Sequence, residues 1–566
     1  MSTTRKRGAL VLLLAVALAA FCYRLGEAPL LDDPNESEYA EVAREMVESG
    51  DWLTPRLNYV VFLNKPPLEY WAIALSDSAL GINEFAARLP SAVAGVVTVL
   101  LLVALGGKLY DAETGLLAGI VLFATGGFFL ETHEAQPDLI MTASIVGTLL
   151  AVWQLFGVSR DGSNRRAPSA LLFGLQVSVT IGLLAKGMLA FVLPGIVVAA
   201  MVIGTRRRDV IAQLLHPRAW WLLLVLMVPW HAAMSWDHRG FLWDYVINQH
   251  LLFFFDRKFP RDSIPVSLPV FWGVLGLRLI PWTVFAPLAV GIAARDARTG
   301  RHAISDRFVL VWAGGVLLFF SAAVSRMEHY SIPALPPMAL LIARLFRGYA
   351  GGATGQRRLL NAHVVVLAGA ALTGVFLMPD LIAAQGWLAP IRELPALARW
   401  TFILLAAGLT LASIAAGTGK HRWVAPVIAA SMMTALPFFT RGMLLLARVN
   451  SSAPIAAALH VLVEPTEHIV YEAPTEYQNC AGFNFYLRRK IDLLRPPAFI
   501  APPYVEPHLD ELFISHDEFE KLWQDGRVFF ISDPLQPRQR LDGVVPPGFY
   551  LVARDHERWV VSNRPL

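Results

Sequence analysis

Thirteen stretches of mostly apolar residues, each long enough to be one helix, recur along the chain. They lie near 8–26, 84–106, 113–130, 138–157, 168–185, 188–204, 219–236, 269–293, 308–325, 331–343, 359–378, 400–417 and 423–440. A bilayer core takes roughly twenty apolar residues as a helix, and a backbone surrounded by lipid must satisfy its own hydrogen bonds. The pattern therefore predicts a polytopic α-helical membrane protein with about thirteen transmembrane helices. Only 16% of the 566 residues are charged, well below the quarter usual in soluble domains. A disordered chain, a disulfide-stapled domain and an ordinary soluble enzyme are excluded. The two cysteines, Cys22 and Cys480, are too few for a metal framework. Basic residues precede the first span, but no small-residue cleavage site follows it, so it reads as a retained signal anchor.

Orientation follows from Lys and Arg. With the N-terminus inside, the inner loops hold basic clusters such as Arg5-Lys6-Arg7, Arg165-Arg166, Arg206-Arg207-Arg208, Arg295 to Arg307 and Arg357-Arg358. These exceed the basic residues of the longer outer loops, as the positive-inside rule requires. Two pieces then lie outside. Residues 27–82 form a long first loop with eleven Asp or Glu and only Arg44, Arg56 and Lys65 as cations. Residues 450–566 form a polar tail. There HIVYEA, GRVFFISD and RWVVSN read as strands and SHDEFEKLW as a helix, which predicts a small α/β domain. The domain expectation is thus 1–449 in the membrane and 450–566 outside. Residues 380–399 read as an irregular outer loop.

The first loop opens with LLDDPNESEYAEVAREM. Asp32-Asp33-Pro34-Asn35 is a helix-start signature. The carboxylates of Glu38, Glu41, Glu45 and Glu48 then recur at helical spacing, which predicts an amphipathic helix at the interface with its acids in water. Asp33, Asn35 and Glu36 stand where the chain leaves the membrane and are candidates for chemistry. In NKPPLEYW, two prolines fix the backbone after Lys65, whose ammonium suits a phosphate. Asp138 opens the fourth span after Pro137, with His133 and Glu134 before it. Lys186, His250, Arg257, Arg278 and the Arg326–Tyr330 group fall on the same predicted side. Ionisable groups at a membrane boundary are functional candidates. Cations there suit a phosphate-bearing lipid, and a carboxylate can deprotonate an acceptor hydroxyl. No P-loop, GxGxxG, HExxH or CxxC occurs, and no nucleic-acid signature either.

Together, YAEVAREMVESGDWLTPRLN, NKPPLEYW, NEFAARLPSAVAG, AQPDLIMT, LLAKGMLAFVLPG and HYSIPALPPMALL resemble the bacterial protein-mannosyltransferase-like membrane glycosyltransferases, which include the lipid A aminoarabinose transferases. The resemblance implies a type C glycosyltransferase fold in the bacterial inner membrane with its active-site loops in the periplasm. It also implies a polyprenyl-phosphate-linked sugar as donor, a lipid, glycan or protein as acceptor, membrane lipids as surroundings, and inversion at the anomeric carbon. An acid of the first loop would activate the acceptor, and the leaving phosphate would be held by Lys, Arg and a divalent metal ion. The family's Asp-Glu-x-Arg-Tyr-Ala-Glu reads Asn35-Glu36-Ser37-Glu38-Tyr39-Ala40-Glu41 here, and its Glu-Lys-Pro-Pro reads Asn64-Lys65-Pro66-Pro67. An amide is no general base, so Glu36, Asp138 or Asp33 takes that role, Glu36 being favoured. Asn35, Tyr39, Lys65, Lys186, His250, Arg257, Arg326 and Tyr330 are the expected substrate contacts, and Asn64 and His250 the candidate metal ligands. Two other readings stay open: a transporter or flippase of lipid-linked glycans, and a catalytically inactive relative. The tail is expected to serve as a lid or acceptor-docking module, with NFYLRR supplying either sugar contacts or core aromatics.

Overall fold

A computed structural model describes residues 3–32, 36–158, 167–260, 264–349, 354–389, 391–472, 477–496, 499, 501–532, 544–555 and 558–565. Each of the thirteen apolar stretches falls on helix. Among the described residues, seven helices are long and apolar enough to cross a bilayer alone: Glu84–Leu109, Asp138–Gly157, Ser169–Lys186, Ala303–Ala322, Arg357–Ala383, Leu394–Gly417 and His421–Ala447. The expected span at 269–293 is instead two helices, Leu268–Arg278 and Thr283–Thr299, bent by 110°. The bend contains Pro281, whose ring cannot continue a helix, and the Trp282 indole donates to the Val121 carbonyl at 3.0 Å. The stretch at 113–130 is likewise divided, at Ala124–Thr125, into Ala112–Phe123 and Gly126–Glu131. At 331–343, a tight turn over Glu328–Ala334 leads into the helix Leu335–Tyr349. The supposed irregular loop at 380–399 is mostly helical, because the flanking helices run to Ala383 and restart at Leu394.

The chain forms two compact units. The first holds residues 1–24, 90–229 and 265–442 and contains most of the membrane helices. Its helices approach closely where side chains are small. A Cβ on Gly182 would lie 2.2 Å from Ser144 Oγ, and one on Gly147 would lie 2.6 Å from Ser178 Oγ. Helices Asp138–Val158 and Ser169–Lys186 therefore pack almost backbone to backbone, as small residues allow in membranes. That contact aligns the start of one with the end of the other.

The second unit holds residues 25–89, 230–264 and 443–566. The first loop and the C-terminal residues thus belong to one body. Its sheet has the order β5-β4-β3-β6-β8-β7. The strands are β3 (His468–Tyr471), β4 (Asp492–Leu494), β5 (Phe513–Ile514), β6 (Val528–Ile531), β7 (Tyr550–Arg554) and β8 (Trp559–Ser562). A two-stranded ribbon, β1 (Arg56–Leu57) and β2 (Val60–Val61), precedes them in the first loop. Strands β3 to β6 pair in parallel, and β6-β8-β7 pair antiparallel. All four residues of β6 are buried, as fits a strand covered on both faces. The helix His516–Asp525 starts with a Ser515–Glu518 capping box and inserts Phe519 and Trp523 into the core with Val470, Leu494, Phe530 and Val561.

The helix Glu36–Ser49 exists as expected, but of the acids at helical spacing only Glu48 is exposed to water. Every residue from Glu36 to Met46 is buried, because the helix packs against Leu68–Leu80 and Ala481–Leu487. Its acids are matched inside the protein. Arg44 forks onto both oxygens of Glu41 at 2.6 Å and reaches Glu48, while Glu45 accepts the Tyr59 amide at 3.0 Å. Burial still holds the carboxyl of Glu41 well above the usual carboxylate range, against the pull of Arg44.

Candidate active site

In the first unit, Asp138 is the first residue of its helix and Lys186 the last of the next. The helix dipole favours an acid at a start and a cation at an end. Gly187 at φ 78° stops the second helix in a conformation that glycine adopts cheaply. Lys186 Nζ meets Asp138 Oδ2 at 2.5 Å, with both side chains nearly buried. Asp138 Oδ1 is buried and, among the described residues, accepts no hydrogen bond. The ammonium also sits 5.4 Å from the centre of the Tyr330 ring, and Tyr330 in turn packs on Phe320 and His329. A second ion pair, Glu131–Arg278, lies close enough for its charges and those of Asp138 and Lys186 to act on one another. Gly127 makes room for it, since a Cβ there would lie 2.4 Å from Arg278 Cβ. His329 also acts electrostatically on Asp138. One buried, charge-balanced cluster therefore contains three expected residues, Asp138, Lys186 and Tyr330, together with Arg278 and His329.

Glu131 was not anticipated. It ends an apolar run, GGFFLE, and only its tertiary partner distinguishes it from a solvated helix end. Arg326 was expected to meet substrate, but its guanidinium is turned onto the carbonyls of Val266 at 3.2 Å and Ser321 at 3.3 Å. It ties the turn before Glu328 to the segment leading into Leu268–Arg278. His133 is also occupied structurally, with Nε2 3.2 Å from the Tyr23 carbonyl and Nδ1 3.2 Å from that of Phe129.

In the second unit, Glu36 is fully buried and both its oxygens are engaged. Arg88 donates to them at 2.6 and 2.8 Å, and the Leu31 amide donates at 2.9 Å. Arg88 also donates to the carbonyls of Leu25, Ala28 and Pro29. It lies in NEFAARLP and was not singled out, because an arginine at a helix start shows no partner in sequence. Asp33 and Asn35 lie outside the described residues. Tyr39 is buried and stacks on Tyr70, with centroids 5.7 Å apart. Arg257 is exposed. His250 Nδ1–H donates to the Tyr245 carbonyl at 2.6 Å. Burial and the nearby Lys65 charge lower its pKa, against the opposing pull of the Tyr245 carbonyl.

Asn64 and His250 do not make a metal centre. Among the described residues, no three His, Cys, Asp or Glu side chains are placed to hold an ion. Asn64 brings a neutral amide, and the charge of Lys65 acts on His250, which opposes a second cation there.

The apolar helix body, the small C-terminal sheet and the charged cluster at the helix ends define a multi-pass membrane protein of the type C glycosyltransferase fold. The fold likeness extends over the whole chain. ArnT from Cupriavidus metallidurans, solved bound to undecaprenyl phosphate, superposes with a TM-score of 0.83 at 22% identity over 100% of this chain and 99% of that one. Its apo form gives 0.81. Residues 10–241 match the dolichyl-phosphate-mannose-protein mannosyltransferase family. The undecaprenyl phosphate-alpha-4-amino-4-deoxy-L-arabinose arabinosyl transferase of Pseudomonas aeruginosa strain UCBPP-PA14 is 30% identical over 71% of this chain and 70% of its own length. That of Pseudomonas savastanoi pv. phaseolicola is 27% identical over 75% and 76%. The chain belongs to this aminoarabinose transferase family of membrane glycosyltransferases.

Proposed function

We propose that the protein moves a sugar from a polyprenyl-phosphate donor to an acceptor of the cell envelope, with Asp138 and Lys186 at the reacting centre. The observation that carries this reading is their buried ion pair, in which Asp138 Oδ1 accepts no hydrogen bond from the described residues. A buried pair is a poor device for stability alone. Here it is a cation and a base stored against each other. When the donor phosphate takes the Lys186 ammonium, the carboxylate is released to accept the proton of the acceptor hydroxyl. The acceptor oxygen then bonds to the anomeric carbon as the bond from that carbon to the phosphate oxygen breaks. The configuration inverts, and polyprenyl phosphate leaves with its charge matched by Lys186. Glu36, engaged by Arg88 and the Leu31 amide, holds the start of its helix rather than a proton in transit.

The curated relatives are named for undecaprenyl phosphate-linked 4-amino-4-deoxy-L-arabinose, which makes that sugar the first donor to test and lipid A the first acceptor. The basic inner loops support an orientation with the N-terminus in the cytoplasm of a bacterial cell. In that orientation the charged cluster and residues 450–566 face the periplasm, and the protein sits in the inner membrane. The test is transfer of label from undecaprenyl-phosphate aminoarabinose to envelope lipids in membranes holding the protein. Transfer by the wild type and its loss in Asp138→Asn support the reading. Undiminished transfer in Asp138→Asn rejects the role of Asp138. An envelope with identical lipids, glycans and proteins, with and without the chain, rejects the activity.

A further inference from the structure

Four separate parts of the second unit converge on the carboxylate of Asp32, four residues before Glu36. Ser452 Oγ donates to Asp32 Oδ2 at 2.6 Å, and Arg558 Nη2 donates to the same oxygen at 3.0 Å. Arg558 Nη1 also donates to Ser452 Oγ at 2.7 Å, which closes the triangle. Ser37 Oγ donates to Asp32 Oδ1 at 3.3 Å from the helix that follows, and the Asp32 amide donates to the Asn450 carbonyl at 3.0 Å. The fourth part is Gly482. A Cβ there would lie 2.2 Å from Asp32 Oδ1 and 2.9 Å from Ser452 Oγ, so the helix Ala481–Leu487 presents bare backbone where the carboxylate sits.

Arg558 is placed for this and little else. It is 4% exposed, just before β8, and its guanidinium lies 5.3 Å from the centre of the Phe483 ring. Asp555 accepts its amide at 2.6 Å and approaches Nε at 3.8 Å, which aims the side chain. A planar fork held on an aromatic face and aimed by an acid is a pre-organised donor. Both chain segments flanking residues 33–35 are thereby fixed. Asp32 is held from the C-terminal residues, while Glu36 is held by Arg88 and the Leu31 amide.

We infer that Arg558, through Asp32 and with Ser452, is a positioning residue that sets the start of the Glu36–Ser49 helix for sugar transfer. The C-terminal residues thus hold the first loop within the second unit. This inference rests on the glycosyltransferase reading, so its test carries one readout of activity and one that needs none. The full-length protein is compared with Arg558→Met, Arg558→Lys, Ser452→Ala, Asp32→Asn and the Arg558→Met/Asp32→Asn double variant. Backbone hydrogen exchange is followed at residues 30–37 and, as a control, in β3, β6 and β8. Arg558→Met and Ser452→Ala speed exchange at 30–37 about tenfold or more while leaving the three strands protected. In the transfer assay, Arg558→Met lowers kcat about tenfold with donor KM unchanged. Arg558→Lys regains part of that loss, and the double variant is no slower than the worse single one. Unchanged exchange at 30–37 overturns the inference, as does faster exchange spread evenly over the sheet. Losses that multiply in the double variant also overturn it. A wild type that transfers no sugar fails the functional reading, while the exchange result still decides the clamp.

Discussion

Asp138 and Lys186 are neighbours because one helix begins where the next one ends, and the glycine contacts Gly147–Ser178 and Gly182–Ser144 let the two pack at close range. The ion pair is therefore a consequence of helix packing as much as of charge. Its two members also differ in what their loss leaves behind.

Lys186→Met leaves the Asp138 carboxylate buried without its ion-pair partner, with Arg278 and His329 as the remaining charges that act on it. Breaking a buried pair from one side costs about 3–5 kcal/mol, so detergent-solubilised Lys186→Met protein unfolds at clearly lower temperature. Asp138→Asn keeps an acceptor for the ammonium and loses less stability. The double variant Asp138→Asn/Lys186→Met, with both charges of this pair removed, recovers most of the stability and none of the transfer. Recovery of both would mean that the pair is structural.

Glu36→Gln separates position from chemistry. Glutamine can accept one of the Arg88 bonds but brings no charge, and a hydrogen bond to a charged group is worth about 1.5–3 kcal/mol. The expected result is a lower unfolding temperature and transfer that scales with the amount of folded protein, because the remaining Arg88 bond and the Asp32 clamp still hold the helix start. Full stability with lost turnover would instead return the proton-accepting role to Glu36.

What could be read ahead of the structure follows from which forces act locally. Asp138 and Lys186 stood out because an ionisable group at the edge of an apolar helix has few structural excuses. The strands at 468–471, 528–531 and 559–562 showed themselves by β-branched and aromatic runs. The Glu36–Ser49 helix was found, but its spacing of acids suggested water where the structure has Arg44, Tyr59 and the helix Ala481–Leu487. A period of 3.6 reports a helix and says nothing about what covers its polar side. Arg88 and Glu131 were missed for the same reason, since their partners are 52 and 147 residues away in sequence. Phe485 of NFYLRR, and Phe483 just before it, turn out to be buried. The Tyr486 hydroxyl accepts the Leu30 amide and donates to Glu84, so that segment joins the C-terminal residues to the first loop.

Gly182→Ala tests how closely the packing sets the ion pair. The added Cβ meets Ser144 Oγ at 2.2 Å and Ala190 Cβ at 2.5 Å, so the helices must separate. Overpacking of this kind costs about 1–3 kcal/mol, and a shift at the helix ends also lowers transfer. Adding Ser144→Gly removes the nearer obstacle, and the pair of changes should restore part of both. A lone Gly182→Ala with normal melting and normal turnover would show that the contact has slack.

Asp77 offers a pH test outside the membrane helices. It lies in the helix Leu68–Leu80 with its carboxyl buried, and burial raises its pKa to about 7, against a partial opposing hydrogen bond from the Asn83 amide. The folded protein therefore holds a proton there that the unfolded chain releases near pH 4. Between those two values the unfolded state binds fewer protons, so stability falls as pH rises, by roughly 1.4 kcal/mol per unit at most. The contribution is fully present below pH 4 and gone above the folded pKa. Asp77→Asn, which is neutral at every pH, removes this slope and leaves the variant more stable than wild type at pH 8. Unfolding temperatures of the two proteins in detergent from pH 4.5 to 8.5 should converge at the acid end and separate at the alkaline end. Parallel curves would mean that Asp77 is ionised in the folded protein across the whole range.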